Sequence, residues 1–199
     1  MNTTAASFFI DPNLYTNRPQ DPAGRLPKEL RTYDLLDQLG ISYQRIDHSP
    51  TATIQDCQDI DKRLGIEICK NLFLCNGQKT KFYLLMLPGT KKFRTAVLSK
   101  QIGSSRLSFA EPEPMQQFLD ITPGSVSVLG LMNDWENRVQ LLIDKSVIDC
   151  HEWIGCHPCI NTSSLKIATS ALLEKFLPAI NHSYILLALP YNCSSTALP

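Results

Sequence analysis

The length, composition and charge of the chain exclude several classes of protein. Its 199 residues are 43% hydrophobic and 19% charged, which is typical of one globular domain and not of a disordered or fibrous chain. The 19 basic and 19 acidic residues cancel, so we do not expect nucleic-acid binding by bulk charge alone. No apolar run approaches the roughly 20 residues of a membrane helix, and no secretory leader is evident. Seven cysteines, an odd number, favour a reducing compartment, and we expect a cytoplasmic protein.

The first elements can be predicted in chain order. Residues 1–25 are rich in Asn, Pro and Asp without periodicity, which predicts an extension that is loose or draped on the surface. The segment "LPKELRTYDLLDQLG" predicts a helix that ends at Gly40, and "ISYQRIDHS" alternates like a short strand. A second helix is predicted in "TIQDCQDIDKRLG", with Thr53 as its N-cap and Gly65 as its end.

The middle of the chain predicts a β-hairpin. Two apolar runs flank "NGQKT", and Asn76-Gly77 is a strong turn signal, so we expect the hairpin near the centre of the sheet. Short helices are predicted in "TAVLSKQIG" and "PEPMQQFLD", strands in "RVQLLIDKSV" and "SSLKIATS", and a helix in "ALLEKFLP" that Pro178 ends. Because β-α-β alternation is not regular, the chain is predicted to form a mixed-sheet α/β or α+β domain.

The charge is unevenly distributed in spite of its zero sum. Between Lys62 and Arg106 lie ten basic residues and one acidic residue, Glu67. The segment predicts either a phosphate-binding face or a solvated sheet edge guarded by lysines.

Two polar residues interrupt the apolar strand "EICKNLFLC". Lys70 and Asn71 mark either the start of the strand, with the lysine ammonium reaching water, or the rim of a cleft. At a cleft rim they could hold a phosphate or a polarised carbonyl oxygen.

The stretch "TPGSVSVLGL", residues 122–131, carries two glycines among small residues. It predicts either a turn before a strand or a loop whose backbone N–H groups approach a ligand or an oxyanion. The spacing matches neither a phosphate-binding Walker loop nor a dinucleotide fingerprint.

The stretch "GCHPCINTS" contains Cys156 and Cys159 as a C-x-x-C pair around His157. A zinc site would need a second ligand pair at suitable spacing, and a redox dithiol would need a helix directly after the pair. Neither context is present, since "INTSSLKIATS" is predicted to form a turn and a strand. Taken alone, His157 is more often a structural histidine than a catalyst.

Together, "KNLFL", "TPGSVSVLGL" and "HPCINT" resemble the YbaK/ProX family of aminoacyl-tRNA deacylases, most closely its free-standing prolyl-tRNA editing members. The lead-in "LPKELRTYDLLDQLGISYQRIDHSPTATI" and the segment "GSSRLSFAEPEPMQQFLDITPGSVS" resemble the family as well. The resemblance runs from about Leu26 to about Leu189. It implies one editing domain over 26–189 between an extension at 1–25 and a tail at 190–199, in an α/β fold whose mixed, largely antiparallel sheet is flanked by helices.

The resemblance also implies the activity and the site. The activity would be hydrolysis of mischarged tRNA(Pro), most of all alanyl-tRNA(Pro), by water and without cofactor or metal. The implied catalytic residues are Lys70, Asn71 and His157; the implied substrate-binding residues are Gly124, Ser125, Val126, Ser127, Gly130 and Asn161. The implied partner is the acceptor end of tRNA(Pro), with prolyl-tRNA synthetase or an elongation factor as further candidates.

Two departures and two alternatives remain open. Val128 stands where relatives often have proline, which could loosen the loop, and Cys159 fills a variable position of the H-P-x-x-N-T element. A catalytically inactive module that binds tRNA or a synthetase would retain the same residues. A thiol oxidoreductase would use Cys156 and Cys159 instead.

Overall fold

The computed structural model describes residues 8–51 and 54–190. Its strands are β1 (Tyr43–Asp47), β2 (Lys70–Asn76), β3 (Phe82–Leu87), β4 (Leu107–Phe109), β5 (Val139–Asp144), β6 (Trp153–Cys156), β7 (Ser163–Ala168) and β8 (Tyr184–Leu187). Its α-helices are α1 (Pro27–Gln38), α2 (Ile54–Leu64), α3 (Thr95–Gln101), α4 (Pro112–Leu119), α5 (Lys145–Cys150), α6 (Thr169–Ala171) and α7 (Leu177–Ala179). A 3₁₀ helix spans Val128–Asn133 and a π-helix spans Leu172–Phe176. The predicted N-cap Thr53 and all of the predicted tail except Pro190 lie outside the described residues.

The strands form two sheets flanked by helices, which confirms the predicted mixed α/β class. One sheet has the order β4-β2-β3-β5-β8, in which β3, β5 and β8 run parallel and the other pairs antiparallel. The second sheet, β1-β7-β6, is antiparallel throughout. The predicted hairpin is present as β2 and β3, and every residue of β3 is buried. The largely antiparallel character was therefore predicted, whereas the division into two sheets was not.

The two sheets meet where Ile68 and Gly155 form an isolated parallel bridge. A Cβ atom at position 155 would lie 2.6 Å from Ile68 Cγ1 and 2.9 Å from Ile68 Cα, so only glycine allows this approach. The N–H of Cys69 donates to the carbonyl of Gly155 at 3.3 Å and continues the junction. This junction sets the relative position of the first residues of β2 and the residues that follow β6.

The early helices form for the reasons read from the sequence. In α1, Pro27 opens the helix, Tyr33 and Leu36 are fully buried, and Gly40 closes it with a φ of 59°. Gly65 follows α2 in the same left-handed conformation, with a φ of 63°. Both predicted helix ends are thus confirmed.

The described part of the N-terminal extension lies along β1. Ile10 bridges His48, Tyr15 bridges Arg45, and the Arg45 guanidinium stacks 4.5 Å from the Tyr15 ring. The backbone of Asp11 also donates to the carbonyl of Asp47. Residues 8–25 are therefore draped on the sheet, which is one of the two arrangements expected.

The prediction that Pro178 ends a helix is wrong. Helical backbone runs from Thr169 through the π-helix to Ala179, and Pro178 lies within α7. The wider π turn uses i to i−5 hydrogen bonds, such as Leu177 N–H to Leu172 O, and proline at the start of the last turn needs no N–H. Among the described residues, no helix is both long enough and apolar enough to span a bilayer.

Candidate active site

A cavity of about 440 Å³ opens at the junction of the two sheets. Five residues that the sequence singled out line it together: Lys70, Asn71, Gly124, Val126 and His157. The rest of the wall comes from the end of the described range 8–51, from α2, from the α2–β2 connection and from the turn after β3. Its residues are Thr51, Cys57, Gln58, Ile60, Asp61, Glu67, Ile68, Cys69, Gly89 and Thr90. Segments far apart in the sequence therefore build one concave space.

The bridge between the sheets explains why Lys70 and His157 share this cavity. Ile68 and Gly155 are bridge partners on parallel segments, and Lys70 and His157 each lie two residues further on. Side chains two residues apart on a strand project to the same face, so both side chains continue on the face that the bridge defines.

Lys70 and Asn71 are the first two residues of β2, and both have unused polar capacity. The exposed Lys70 ammonium donates to the carbonyl of Lys91 at 3.4 Å, which leaves donors for a ligand. Asn71 Nδ2 donates to the carbonyl of Cys69 at 3.2 Å, but its side-chain oxygen Oδ1 is buried with no hydrogen-bond donor. Both residues line the cavity, Lys70 with a cation and Asn71 with an unpaired acceptor.

The glycine-containing loop begins with a tight turn. Pro123 occupies its second position, Gly124 its third with a φ of 89°, and Ser125 N–H closes it on the carbonyl of Thr122 at 3.1 Å, as in a type II turn. A Cβ atom at position 124 would lie 3.5 Å from Asn161 Nδ2. The turn therefore brings backbone close to Asn161 with no side chain in between.

The remaining predicted site residues lie elsewhere. Ser125 and Asn161 line a second cavity of about 430 Å³, not the first. Ser127 is buried and its hydroxyl caps the 3₁₀ helix by accepting from Leu129 N–H at 3.2 Å. Gly130 lies inside that helix, where a Cβ atom would come within 2.2 Å of Ile121 Cδ1. Val128, at which the resemblance implied a departure from proline, is the fully buried first residue of the same helix.

The hydrogen bonds of His157 define its tautomer. Its Nδ1 lies 3.0 Å from the carbonyl of Ser163 and 3.3 Å from Ser164 Oγ, and a carbonyl can only accept. Nδ1 therefore carries the proton, and Nε2 is left as an acceptor with no partner among the described residues. Ser164 Oγ also lies 2.9 Å from Nε2 of His48, whose Nδ1 donates to the carbonyl of Ser49 at 2.8 Å. Sequence reasoning missed this support, since a histidine before a proline turn carries no distinctive signal.

The comparisons with known proteins show the family of the chain. The family model for the aminoacyl-tRNA editing domain matches residues 48–175, more than half of the chain. The chain belongs to this family. The prolyl-tRNA editing protein ProX of Acetoanaerobium sticklandii is 32% identical over 149 residues, which cover 75% of this chain and 90% of that protein. Family membership confirms the enzyme class expected from the sequence, an aminoacyl-tRNA deacylase.

Two further relatives extend the comparison. The prolyl-tRNA synthetase associated domain-containing protein 1 of Danio rerio is 28% identical over 164 residues, covering 82% of this chain and 87% of that protein. A solved structure described as a candidate trans-editing enzyme for prolyl-tRNA synthetase superimposes with a TM-score of 0.60 at 14% identity, over 82% of this chain and 97% of that one. The structural likeness independently supports the fold.

Burial disfavours the charged form of two of the histidines, His157 and His48. It lowers the pKa of His157 and the pKa of His48 below the usual 6.5, because an imidazolium would lose its hydration. In the unfolded chain the two rings titrate near 6.5, so below that pH the unfolded state binds more protons than the native state. We therefore expect the free energy of unfolding to decrease as the pH falls from 6.5 towards the native pKa values, by up to about 1.4 kcal/mol per histidine and pH unit.

Urea unfolding at pH 7.5 and pH 5.5 measures this dependence. His157→Gln should weaken it, whereas His151→Gln serves as a control, since the side chain of His151 makes no hydrogen bond within the described residues. An unchanged pH dependence in His157→Gln would contradict the role of that ring.

The basic segment of the editing domain is not one continuous face. Lys91, one of the ten basic residues of the segment that predicted a phosphate-binding face or a solvated edge, is 3% exposed, and its ammonium lies 2.9 Å from both carboxylate oxygens of Asp144. The expectation is wrong for this residue, because the ammonium is used inside the protein. Lys92 and Arg94 are exposed.

The two cysteines of the C-x-x-C pair lie in the protein core. Cys156 and Cys159 are fully buried, and the six cysteines in the described part of the chain are free. Burial raises the pKa of the Cys159 thiol to about 11 and that of Cys156 further still, which disfavours the thiolate that redox chemistry needs. Within residues 8–51 and 54–190, no group of three or more His, Cys, Asp or Glu side chains could hold a metal ion.

Proposed function

We propose that this editing domain hydrolyses mischarged tRNA(Pro), with alanyl-tRNA(Pro) as its preferred substrate. One observation carries the proposal: a single cavity of about 440 Å³ combines the Lys70 cation, the Asn71 amide, the Gly124 turn and the His157 ring. The prolyl-tRNA editing protein at 32% identity supports the choice of tRNA(Pro). The cytoplasm is the proposed location.

The chemistry requires positioning more than a strong nucleophile. An aminoacyl ester is already activated, so water can attack its carbonyl carbon when the developing oxyanion is stabilised. In this proposal the Lys70 ammonium and the backbone of the Gly124 turn face that oxyanion, and His157 Nε2 accepts a proton of the attacking water. The bond between the carbonyl carbon and the ribose oxygen breaks, which yields the free amino acid and a tRNA with its terminal hydroxyl restored.

Selection by exclusion would depend on close contacts between the cavity wall and the amino-acid side chain. A synthetase site that fits proline rejects a smaller amino acid weakly, because each missing methylene is worth only about 1–3 kcal/mol. A second site that admits alanine and excludes proline corrects the error. The apolar side chains of Ile60, Ile68 and Val126 in the cavity wall could provide this exclusion.

Deacylation of four charged forms of tRNA(Pro) tests the function. We expect rapid loss of alanine, slower loss of serine and cysteine, and retention of proline. Hydrolysis that prefers serine or cysteine would overturn alanine as the substrate. No turnover of any form by a folded protein that still binds tRNA would instead favour a catalytically inactive binding module.

Phosphate contacts from the exposed part of the basic segment should make tRNA binding depend on salt. In the double variant Lys92→Ala/Arg94→Ala, we expect the slope of log Kd against log salt concentration to decrease by about 1.4, since each phosphate contact contributes roughly 0.7 on a single strand. Filter binding with tRNA(Pro) at several salt concentrations measures the slope, with Lys175→Ala as a control on a lysine that lines neither cavity. An unchanged slope would exclude these two residues from the interface.

A further inference from the structure

Two carboxylates line the reaction cavity without a counterion in the part of the chain that the structure describes. Asp61 lies in the last turn of α2 and Glu67 in the connection to β2, and both line the cavity. Within the described residues, neither forms an ion pair with a lysine, arginine or histidine. Both side chains are half-buried, so a positively charged group of a ligand in the cleft would meet carboxylates that are partly removed from water.

Asp61 is held in place with one oxygen to spare. Its Oδ1 accepts from Ile68 N–H at 3.1 Å, and its Oδ2 has no partner among the described residues. Burial raises the pKa of Asp61 above its usual value, and the nearby Glu67 carboxylate adds to the rise, although the Ile68 N–H opposes it. Within the described residues no ammonium or guanidinium forms an ion pair with Asp61, so a bound cation would be its counterion.

A second acceptor in the same cavity also lacks a donor. Asn71 Oδ1 is buried and unpaired, which is costly for an amide oxygen unless a ligand provides the hydrogen. Glu67 is less available than Asp61, because its Oε1 accepts from Thr90 N–H and packs against Gly89. The cavity thus contains unpaired acceptors that suit a ligand group with several N–H donors and a positive charge.

The aminoacyl ester carries such a group. Its α-ammonium lies on the carbon next to the reacting carbonyl, so it must enter the cavity whenever the ester does. We infer that Asp61 is a specificity-determining residue whose free carboxylate oxygen, together with Asn71 Oδ1, receives the α-ammonium of the substrate. The inference rests on the proposed function for the identity of the ester, but every aminoacyl-tRNA carries this ammonium. Lys70 and Asp61 then bind opposite ends of the reacting unit, the oxyanion and the cation.

Matched esters test this assignment. Lactyl-tRNA(Pro) has the shape of alanyl-tRNA(Pro) with a hydroxyl in place of the ammonium. Asp61→Asn keeps the acceptor for Ile68 N–H but removes the charge. We expect Asp61→Asn to reduce kcat/KM about 10- to 100-fold on the alanyl ester, as for the loss of a hydrogen bond to a charged group, and to leave the lactyl ester unchanged.

The outcomes separate this inference from a structural role and from the proposed function. An equal loss on both esters would show that Asp61 only supports the fold, and an unchanged alanyl rate would exclude it as the acceptor; either result overturns the inference. Glu67→Gln, the matched change at the other carboxylate, should have the smaller effect, and the reverse order would also overturn it. If the wild type hydrolyses no ester, the proposed function fails, but binding of a CCA trinucleotide linked to alanine or lactate through a stable amide still tests Asp61. Wild type should bind the alanyl form more tightly, and Asp61→Asn should not.

Discussion

Lys70→Ala is expected to reduce kcat/KM for alanyl-tRNA(Pro) by about 100- to 1,000-fold, the usual cost of removing one donor that faces a developing oxyanion. The Lys70 ammonium is exposed at the cavity and its only hydrogen bond within the described residues is a 3.4 Å contact to the carbonyl of Lys91. Its removal should therefore cost little stability, and the thermal midpoint should stay close to that of the wild type. A large loss of activity with an unchanged midpoint would place the effect in the reaction.

Two further variants make the Lys70 experiment specific. Lys175→Ala removes another exposed lysine, one that contacts the carbonyl of Gly40 and lines neither cavity, and should retain full activity. Lys70→Arg keeps the charge with a different geometry and should restore part of the rate. Near-native deacylation by Lys70→Ala would remove this lysine from the mechanism.

Local structure was predictable because it depends on local signals. The Asn76-Gly77 turn between two apolar runs determines the hairpin, and Gly40 and Gly65 end helices by adopting positive φ angles. The π-helix was not predictable, since Pro178 reads as a helix end unless the wider turn before it is known. The short strand β6 was also missed, because "WIGC" is too brief to show an alternation.

The candidate site was only partly predictable, because it depends on contacts between distant segments. The family resemblance singled out Lys70, Asn71, Gly124 and His157, and these four residues line one cavity. Nothing local in the sequence indicates that Ile68 would bridge Gly155, yet this bridge brings Lys70 and His157 to the same face. A role for Asp61 and Glu67 in the site could not be predicted either, because a carboxylate near a helix end usually faces water.

The burial of Lys91 could not be predicted from the sequence, because a lysine in a basic segment is normally exposed to solvent. Here its ammonium is buried against Asp144, which also accepts from the N–H groups of Ser146 and Leu189. Lys91→Met would leave that carboxylate buried without its cation, and we expect a loss of about 3–5 kcal/mol in the free energy of unfolding. Urea unfolding measures it, and the exposed pair Lys145–Asp149 provides the control, since Lys145→Met should cost less than about 1 kcal/mol. Equal losses in the two variants would mean that the buried pair stabilises the protein no more than the exposed pair does.

The same ion pair should affect the reaction, because it holds the wall of the cavity. Gly89 and Thr90 line the cavity directly before Lys91, and the carbonyl of Lys91 accepts from the Lys70 ammonium. Anchoring the Lys91 side chain on Asp144 therefore fixes the backbone that orients Lys70. The double variant Lys91→Met/Asp144→Asn removes both charges together and should lose less stability than the sum of the single changes. Measured where it is folded, it should still deacylate alanyl-tRNA(Pro) more slowly than the wild type, and a wild-type rate would show that Lys70 is positioned independently of this pair.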